Sequence, residues 1–220
     1  MTFRLAVVFF VAFPILVIAQ NDGDGEWKEV KDNNGIKAYV MKLPDVAMKK
    51  VKVEAIAESS LSALVSLMID APRNKDWVYA NAHACLLEKY DDFNWIYYGQ
   101  SDAPWPVNDR DVVSRVHMSQ NPVTKEVRFV SVGEPEFEPE HEDFVRIPLL
   151  HAVWKLKPLG KGKVLVTFEL QLDLGGNMPA WVINLAATKG PYNSIKSFIE
   201  LAKEEPYVSA HLDYIREPQW

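Results

Sequence analysis

The sequence predicts an α+β fold in which a curved antiparallel sheet wraps around one long C-terminal helix. Two patterns favour this architecture. In residues 173–205, apolar side chains recur at spacings of three, four and seven, as in a helix that buries one face. Between residues 85 and 172, apolar runs alternate with turn signals, as in consecutive hairpins. Strands joined by short turns pair antiparallel, and the apolar face of their sheet requires a covering helix.

The first nineteen residues have the pattern of a secretory signal peptide. Arg4 precedes an apolar run, and the small residue Ala19 provides a cleavage site. An uncleaved membrane anchor is the alternative, but it requires a longer apolar run and is disfavoured by Pro14. We therefore expect export to the periplasm or the extracellular space. The expected divisions are the signal peptide (1–19), a flexible lead (20–26), a folded domain (27–206) and a C-terminal tail (207–220).

Composition narrows the classes of partner. The 220-residue chain carries a formal net charge of −6, which becomes −7 when Arg4 leaves with the signal peptide. An acidic domain lacks the basic face that binds phosphate backbones, so we expect no nucleic-acid partner. The single cysteine, Cys85, excludes an intrachain disulfide and a cysteine zinc cluster. Because it lies in an apolar strand, an inert core thiol is favoured over a nucleophile.

The first half of the domain is expected to form an antiparallel pair of strands followed by a helix. Asn33-Asn34-Gly35 is a turn signal before one alternating run, and a second alternating run follows Pro44-Asp45. Ser60 provides an N-cap for a helix whose apolar residues recur at helical spacing. The expected elements are a helical turn at 27–31, strands at 36–41 and 48–57, a helix at 61–71 and a short helical turn at 77–79.

Three hairpins follow, and they bring the expected number of strands to eight. The final strand has the clearest alternation, since Val164, Val166 and Phe168 share one face with Leu170 and Leu172. The inward residues of such a sheet meet the apolar face of the C-terminal helix. The expected strand pairs are 85–90 with 95–100, 110–119 with 126–132, and 150–157 with 163–172.

The predicted C-terminal helix has start and stop signals and one helix-breaking residue inside it. Pro179 in the opening turn favours a start, and Pro206 marks the end. Pro191 after Gly190 removes a backbone donor, so we expect a kink or a break there. Two outcomes stay open for the tail, whose apolar residues either pack back on the body or fray.

A stiff segment before strand 110–119 carries a family resemblance. Residues 101–111 read SDAPWPVNDRD: two prolines flank Trp105 and keep the chain extended, and Arg110 opens the next strand. This combination resembles the signature of START domains, the steroidogenic-acute-regulatory-related lipid-transfer family, and the likeness extends over residues 26–205. Further matches are Trp27 with Gly35-Ile36, Trp77, Phe144-Val145-Arg146, Trp154 and the segment DLGGNMPAW at 173–181.

The resemblance implies a helix-grip fold with an internal hydrophobic cavity for one lipid or other apolar molecule. We also expect a monomer without a cofactor that contacts membrane surfaces transiently. Two positions depart from the family's pattern. Leu174 stands where proline is usual. Residues 97–100 offer no carboxylate for the strand-opening arginine, so Arg110 would pair with Asp102 or with a ligand.

Two arginines and six aromatic residues are the candidate lining of this cavity. Arg110 and Arg146 require a counter-charge if they point inward, which a ligand head group or an internal acid would supply. A structural ion pair or an exposed strand end is the alternative for each arginine. Core packing explains the aromatic residues equally well one by one. These aromatic candidates are Trp77, Trp95, Tyr97, Trp105, Trp154 and Trp181.

The start of the C-terminal helix is the candidate lid. Gly175 and Gly176 offer a hinge. The residues that offer apolar surface to a membrane are Met178, Pro179, Trp181 and Val182. The alternative is a rigid loop in which the two glycines only turn the chain.

Three functional classes remain open. Lipid binding and transfer is the class that the family resemblance favours. A cyclase or aromatase that uses the same cavity is the second, although the sequence has no hydrolase elbow, zinc-protease motif or phosphate loop, and its five histidines are scattered. A stress or envelope binding protein without a transport role is the third. The acidic loop 133–142, which includes His141, is either a cation site or, as we favour, a solvated loop.

Overall fold

The computed structural model describes residues 25–42 and 49–219, and within them the chain has the predicted α+β fold. The predicted signal peptide and the turn at Pro44-Asp45 lie outside the described residues. Inside them, no helix has the length and apolarity that a membrane crossing needs. The strands are β1 (Lys28–Asn33), β2 (Ile36–Lys42), β3 (Lys49–Glu58), β4 (Asn81–Lys89), β5 (Asn94–Ser101), β6 (Arg110–Gln120), β7 (Val127–Gly133), β8 (Val145–Arg146), β9 (Leu149–Gly160) and β10 (Lys163–Asp173). The helices are α1 (Leu61–Ile69), α2 (Asn74–Trp77) and α3 (Ala180–Leu201), with a 3₁₀ turn at Ala71–Arg73.

A single curved sheet contains the ten strands of the described residues. Along it the order is β1-β2-β3-β10-β9-β7-β6-β5-β4, and all of these neighbours are antiparallel. The short strand β8 pairs in parallel with the start of β6, which brings Arg146 beside Asp111. The antiparallel sheet and its C-terminal helix are thus confirmed, with ten strands in place of the expected eight.

The first strand corrects one expectation. Residues 27–31 do not form a helical turn, because Lys28–Asn33 pairs with β2 across a two-residue turn. Asn34 and Gly35 have φ values of 52° and 75°, the left-handed conformation that a tight hairpin turn requires. The side chains of β1 are exposed, so no apolar alternation marks this strand in the sequence.

The inner face of the sheet packs against α1 and α3. In β3, Val51, Val53 and Ala55 are buried while the residues between them are less so, as the alternation predicts. α1 begins after Ser60, whose side chain accepts a hydrogen bond from the Ala63 amide at 3.1 Å. The predicted cap is therefore present, and it directs the apolar face of α1 into the same core.

α3 is one continuous helix through Pro191, so the expected break is absent. Gly190 and Pro191 are both buried, and the turns that follow bury Ile195 and Phe198 completely. The ring centroids of Phe198 and Trp77 lie 4.8 Å apart. This packing offsets the backbone hydrogen bond that proline cannot donate.

The C-terminal tail packs against the body instead of fraying. Tyr207 and Ile215 are each 3% exposed, and the Tyr207 hydroxyl donates to Asp70 at 2.6 Å. The Glu217 carboxylate accepts hydrogen bonds from the first two amides of α1, at 3.1 and 2.7 Å. A negative charge at this position complements a helix N-terminus. Residues 206–217 therefore belong to the folded unit.

Candidate functional site

A cavity of about 300 Å³ lies between the inner face of the sheet and the first half of α3. Its wall is largely apolar: β6 contributes Val116, β9 contributes Ala152, and α3 contributes Val182 and Leu185. A second cavity of about 760 Å³ adjoins it and shares Met178 with its wall. Both volumes lie in the range of small-molecule sites, roughly 300–1,000 Å³.

Four of the six aromatic candidates line the first cavity, namely Trp77, Trp95, Tyr97 and Trp154. Trp154 stacks on Phe168 at a centroid distance of 4.2 Å, and it meets Trp77 edge to face at 5.7 Å. Such offset and edge contacts are the favoured arrangements of aromatic rings. They give the cavity an aromatic wall on the side of the sheet.

The other two aromatic candidates lie at the surface. Trp105 is 89% exposed in the loop between β5 and β6, and Trp181 is 51% exposed in the first turn of α3. Both adjoin residues that do line the cavity, since Pro104 precedes Trp105 and Val182 follows Trp181. The structure thus places these two tryptophans beside the cavity and not in its wall.

Arg110 lines the cavity and has backbone partners. Its guanidinium donates to the carbonyl oxygens of Leu174 and Gly175, each at 3.2 Å, and to that of Asn108. Among the described residues, no carboxylate forms an ion pair with it, and burial lowers the pKa of Arg110. Of the two expected partners, Asp102 is not paired with Arg110 among the described residues, and pairing with a ligand stays a prediction. The bonds present tie the start of β6 to the loop before α3.

Arg146 lies outside the cavity wall, which corrects its expected position. Its Nε and Nη2 each donate to one carboxylate oxygen of Asp111 at 2.9 Å, and the two side chains are 2% and 1% exposed. The hydrogen bonds that Arg146 donates to Asp111 raise the pKa of Arg146. A structural ion pair, one of the two alternatives that the sequence leaves open, is the arrangement found.

The different surroundings of Arg110 and Asp111 follow from strand geometry. Successive side chains of β6 point to opposite faces, so the arginine faces the cavity and the carboxylate faces the other side. There β8 brings Arg146 beside Asp111. The sequence Arg110-Asp111 already indicates this arrangement, because in a strand the residue that follows a cavity-facing arginine points away from the cavity.

The acidic loop 133–142 covers this ion pair. Arg146 donates to the backbone carbonyls of Pro135, Glu138 and Pro139 at 2.6, 3.0 and 3.2 Å. In the described parts of the chain, no three His, Cys, Asp or Glu side chains gather as a metal site requires. The contacts that position the loop on Arg146 are therefore made by its backbone.

The loop before α3 has a conformation that suits glycine. Gly175 and Gly176 have φ values of 68° and 64°, and a Cβ on Gly175 would lie 3.1 Å from Pro148. These requirements account for both glycines without any motion, so a hinge stays a prediction. Met178 lines both cavities, while Pro179 lines the second and occupies the N-cap position of α3.

The cavity wall also has a polar part that the sequence analysis missed. Asn74 is 7% exposed, and its Nδ2 donates to the Tyr97 hydroxyl at 3.1 Å. Ser194 accepts a hydrogen bond from the Tyr79 amide at 2.9 Å. Burial raises the pKa of Tyr97 to about 12. The available signal for Asn74 is its place three residues before Trp77, about one helical turn away.

Comparisons with known proteins agree with this architecture. The family model for the START domain matches residues 18–205. Over 194 residues the chain is 29% identical to an uncharacterized protein of Pseudomonas aeruginosa, a match that covers 88% of this chain and 95% of that protein. It is 25% identical over 181 residues to the phosphatidylcholine transfer protein of Mus musculus, covering 80% of this chain and 83% of that protein.

A solved structure has the same fold. The STAR-related lipid transfer protein of Xanthomonas axonopodis, determined as a fragment, superposes with a TM-score of 0.75 at 25% identity, covering 81% of this chain and 99% of the fragment. The antiparallel sheet, the C-terminal helix and the family match therefore agree with one another. This chain belongs to the START domain family.

Proposed function

We propose that this protein binds a lipid in the cavity between the sheet and α3 and carries it between membrane surfaces. The observation that carries the proposal is the cavity itself, whose wall is mainly apolar and aromatic with a small polar part. The names of the mouse relative and of the Xanthomonas structure, both lipid transfer proteins, support it.

An apolar cavity makes carriage favourable for a physical reason. A lipid chain that passes from a bilayer to such a cavity exchanges one apolar medium for another. Exposing the chain to water on the way would cost about 0.8 kcal/mol for each CH₂ group. A carrier therefore reduces this cost by enclosing the chain. The shape of the cavity and a few polar contacts then determine which ligand binds.

The proposed contact with the membrane is the corner that carries Trp105 and Trp181. Both side chains are exposed, and both stand next to cavity-lining residues. Tryptophan suits the boundary between lipid and water because its ring is apolar and its N–H is polar. Opening would separate the start of α3 from the loop between β5 and β6, and Arg110 bonds to the segment that would move.

The composition of the cavity wall favours carriage over acid-base catalysis. Within the described residues, the first cavity is lined by no histidine, glutamate, lysine or cysteine. Its charged lining residues are Arg110, which is engaged with backbone carbonyls, and Asp102, which is exposed. General acid-base catalysis needs a group that exchanges protons near the working pH, whereas burial raises the pKa of Tyr97, a further titratable lining residue, to about 12.

Native mass spectrometry of the purified protein, combined with organic extraction, tests the proposal. We expect a bound lipid, and a mass that also reports whether the protein is a monomer. Ala152→Phe should fill the cavity and abolish uptake from vesicles, whereas Lys157→Phe, on an exposed position of the same strand, should not. Absence of lipid in the wild type, with no uptake from vesicles, would contradict the function.

We also propose that the carrier is exported. The apolar run of residues 1–19 supports this. N-terminal sequencing of the mature protein from the producing cell should begin at Gln20. A mature protein that retains Met1 in the cytoplasm would contradict it.

A further inference from the structure

Two buried polar atoms in residues of the cavity wall have no partner. Among the described residues, the buried side-chain atoms without a hydrogen bond are Ser62 Oγ, Asn74 Oδ1, Trp77 Nε1 and Asn81 Oδ1. Of these four residues, only Asn74 and Trp77 line the cavity, and they are 7% and 4% exposed. Buried polar atoms are normally hydrogen-bonded, because leaving them unpaired costs free energy. An unpaired donor and an unpaired acceptor in one cavity wall therefore require an explanation.

The two residues lie one helical turn apart. Asn74 and Trp77 begin and end α2, and residues at this spacing lie on the same side of a helix. Asn74 uses its Nδ2 to bond the Tyr97 hydroxyl, which leaves its Oδ1 as an unpaired acceptor, while Trp77 Nε1 is an unpaired donor. If the Asn74 amide turned over, the Tyr97 hydroxyl would donate to Oδ1 and Nδ2 would be unpaired. In either orientation, one polar atom of the Asn74 amide has no hydrogen-bond partner.

The two unpaired atoms, Asn74 Oδ1 and Trp77 Nε1, favour a neutral ligand group that can both donate and accept a hydrogen bond. A hydroxyl can accept from Trp77 and donate to Asn74, whereas an ether or a carbonyl can only accept. A phosphate would face the Asn74 oxygen with no cation to balance its charge, since Arg110 is engaged with the loop before α3. Burial raises the pKa of Tyr97 to about 12, so this hydroxyl also stays neutral.

We infer that Asn74, Trp77 and Tyr97 form a subsite for a hydroxyl group, so that the cavity selects a lipid alcohol over a lipid that presents a phosphate here. This inference rests on the proposed function and narrows it to a ligand class. The hydroxyl enters the cavity first and meets the polar wall, while the apolar body of the lipid fills the remaining space.

Displacement of a fluorescent hydrocarbon tests the subsite. The wild-type protein is loaded with diphenylhexatriene, which has no polar group, and titrated with 1-tetradecanol, 1-methoxytetradecane or tetradecyl phosphate. We expect the alcohol to displace the dye at about three- to tenfold lower concentration than the ether, the effect of one or two net hydrogen bonds. The phosphate should be the weakest of the three.

Two variants and one control locate the effect. Asn74→Leu and Trp77→Phe should each reduce the advantage of the alcohol over the ether, while binding of the ether persists. Trp95→Phe makes the same chemical change elsewhere in the cavity wall and should keep the advantage. Circular dichroism confirms folding, and the wild-type series decides the question if a variant does not fold.

The outcomes separate this inference from the proposed function. Equal displacement by alcohol and ether, or strongest displacement by the phosphate, would overturn the hydroxyl subsite and leave lipid binding intact. Failure of the dye and of all three amphiphiles to bind would contradict both.

Discussion

Arg146 and Asp111 form a two-point ion pair in the interior, with two hydrogen bonds of 2.9 Å and side chains that are 2% and 1% exposed. The pair joins β8 to the start of β6 beneath the loop 133–142. Arg110 precedes Asp111 on β6 but points to the opposite face, where it bonds backbone carbonyls of the loop before α3. Two neighbouring residues of one strand thus serve separate purposes on its two faces.

Asp111→Asn is expected to lower the free energy of unfolding by about 3–5 kcal/mol, because it leaves a buried guanidinium without a counter-charge. Urea denaturation followed by tryptophan fluorescence measures the change. The matched control is Glu134→Gln, which breaks the exposed pair with Arg115 and should have little effect. Equal losses in the two variants would refute a special role for burial.

Arg110→Gln is expected to loosen the loop before α3. The substitution removes the charge and part of the hydrogen bonding to Leu174 and Gly175, at a cost of about 2 kcal/mol. Hydrogen exchange followed by mass spectrometry should show faster exchange in residues 174–182, while β9 and β10 serve as the internal control. A uniform increase in exchange rate over the whole chain would indicate general destabilisation. It would contradict a local role of Arg110 in holding the loop before α3.

Because of Tyr97, the free energy of unfolding is expected to depend on pH in the alkaline range. Burial raises its pKa from 10.0 to about 12, so its hydroxyl remains protonated in the folded state at a pH where the unfolded chain already ionises. Its contribution is present in full below pH 10 and is lost as the pH rises through 12, by about 1.4 kcal/mol per pH unit.

Tyr97→Phe should therefore lose less stability than the wild type between pH 9.5 and 11, as measured by chemical denaturation. Tyr79→Phe, at a partly exposed tyrosine, provides the control. A parallel decline of the Tyr97→Phe variant and the wild type would show that the raised pKa does not affect folding.

Glu217→Ala is expected to lower the free energy of unfolding by about 1 kcal/mol. Glu217 accepts from two amides at the start of α1, and removing a cap of this kind leaves both without a partner. Asp213→Ala changes a fully exposed carboxylate in the same tail and should leave the thermal midpoint unchanged. If the two variants melt alike, the tail carboxylate does not stabilise α1.

Replacement of both Trp105 and Trp181 by serine is expected to reduce association with lipid vesicles without emptying the cavity. The two rings are exposed beside the cavity and supply the apolar surface for the proposed membrane contact. Vesicle flotation measures association, and native mass spectrometry measures the bound lipid. Val123→Ser, at an exposed turn near the other end of β6, is the control. Unchanged flotation of the double variant would refute the contact.

The parts of the fold that bury a face were predictable from the sequence. Alternation in β3 matches its buried residues, and the helical period of α3 does so from Tyr192 onward, because burial imposes the pattern. β1 was not predictable, since its side chains are exposed. Of the kink or break expected at Pro191, the break is absent, because packing of α3 against Trp77 is a tertiary effect that local propensity does not contain.

The candidate site was predictable in part. The motif SDAPWPVNDRD pointed to Arg110, which lines the cavity together with four of the six aromatic candidates. The outward position of Trp105 and the pairing of Arg146 depend on which strands become neighbours, and β8 joins β6 across a long stretch of sequence. Asn74 was missed because a single polar residue in a short helix has no periodic signature.

The two halves of α3 differ in their surroundings. Ile195 and Phe198 lie in solid packing, whereas Val182, Leu185 and Ala186 border empty space. Substitutions in the first three turns of α3 can therefore alter the shape of the cavity with little effect on the free energy of unfolding. A combinatorial library confined to these positions should yield variants with altered ligand preference on an unchanged scaffold.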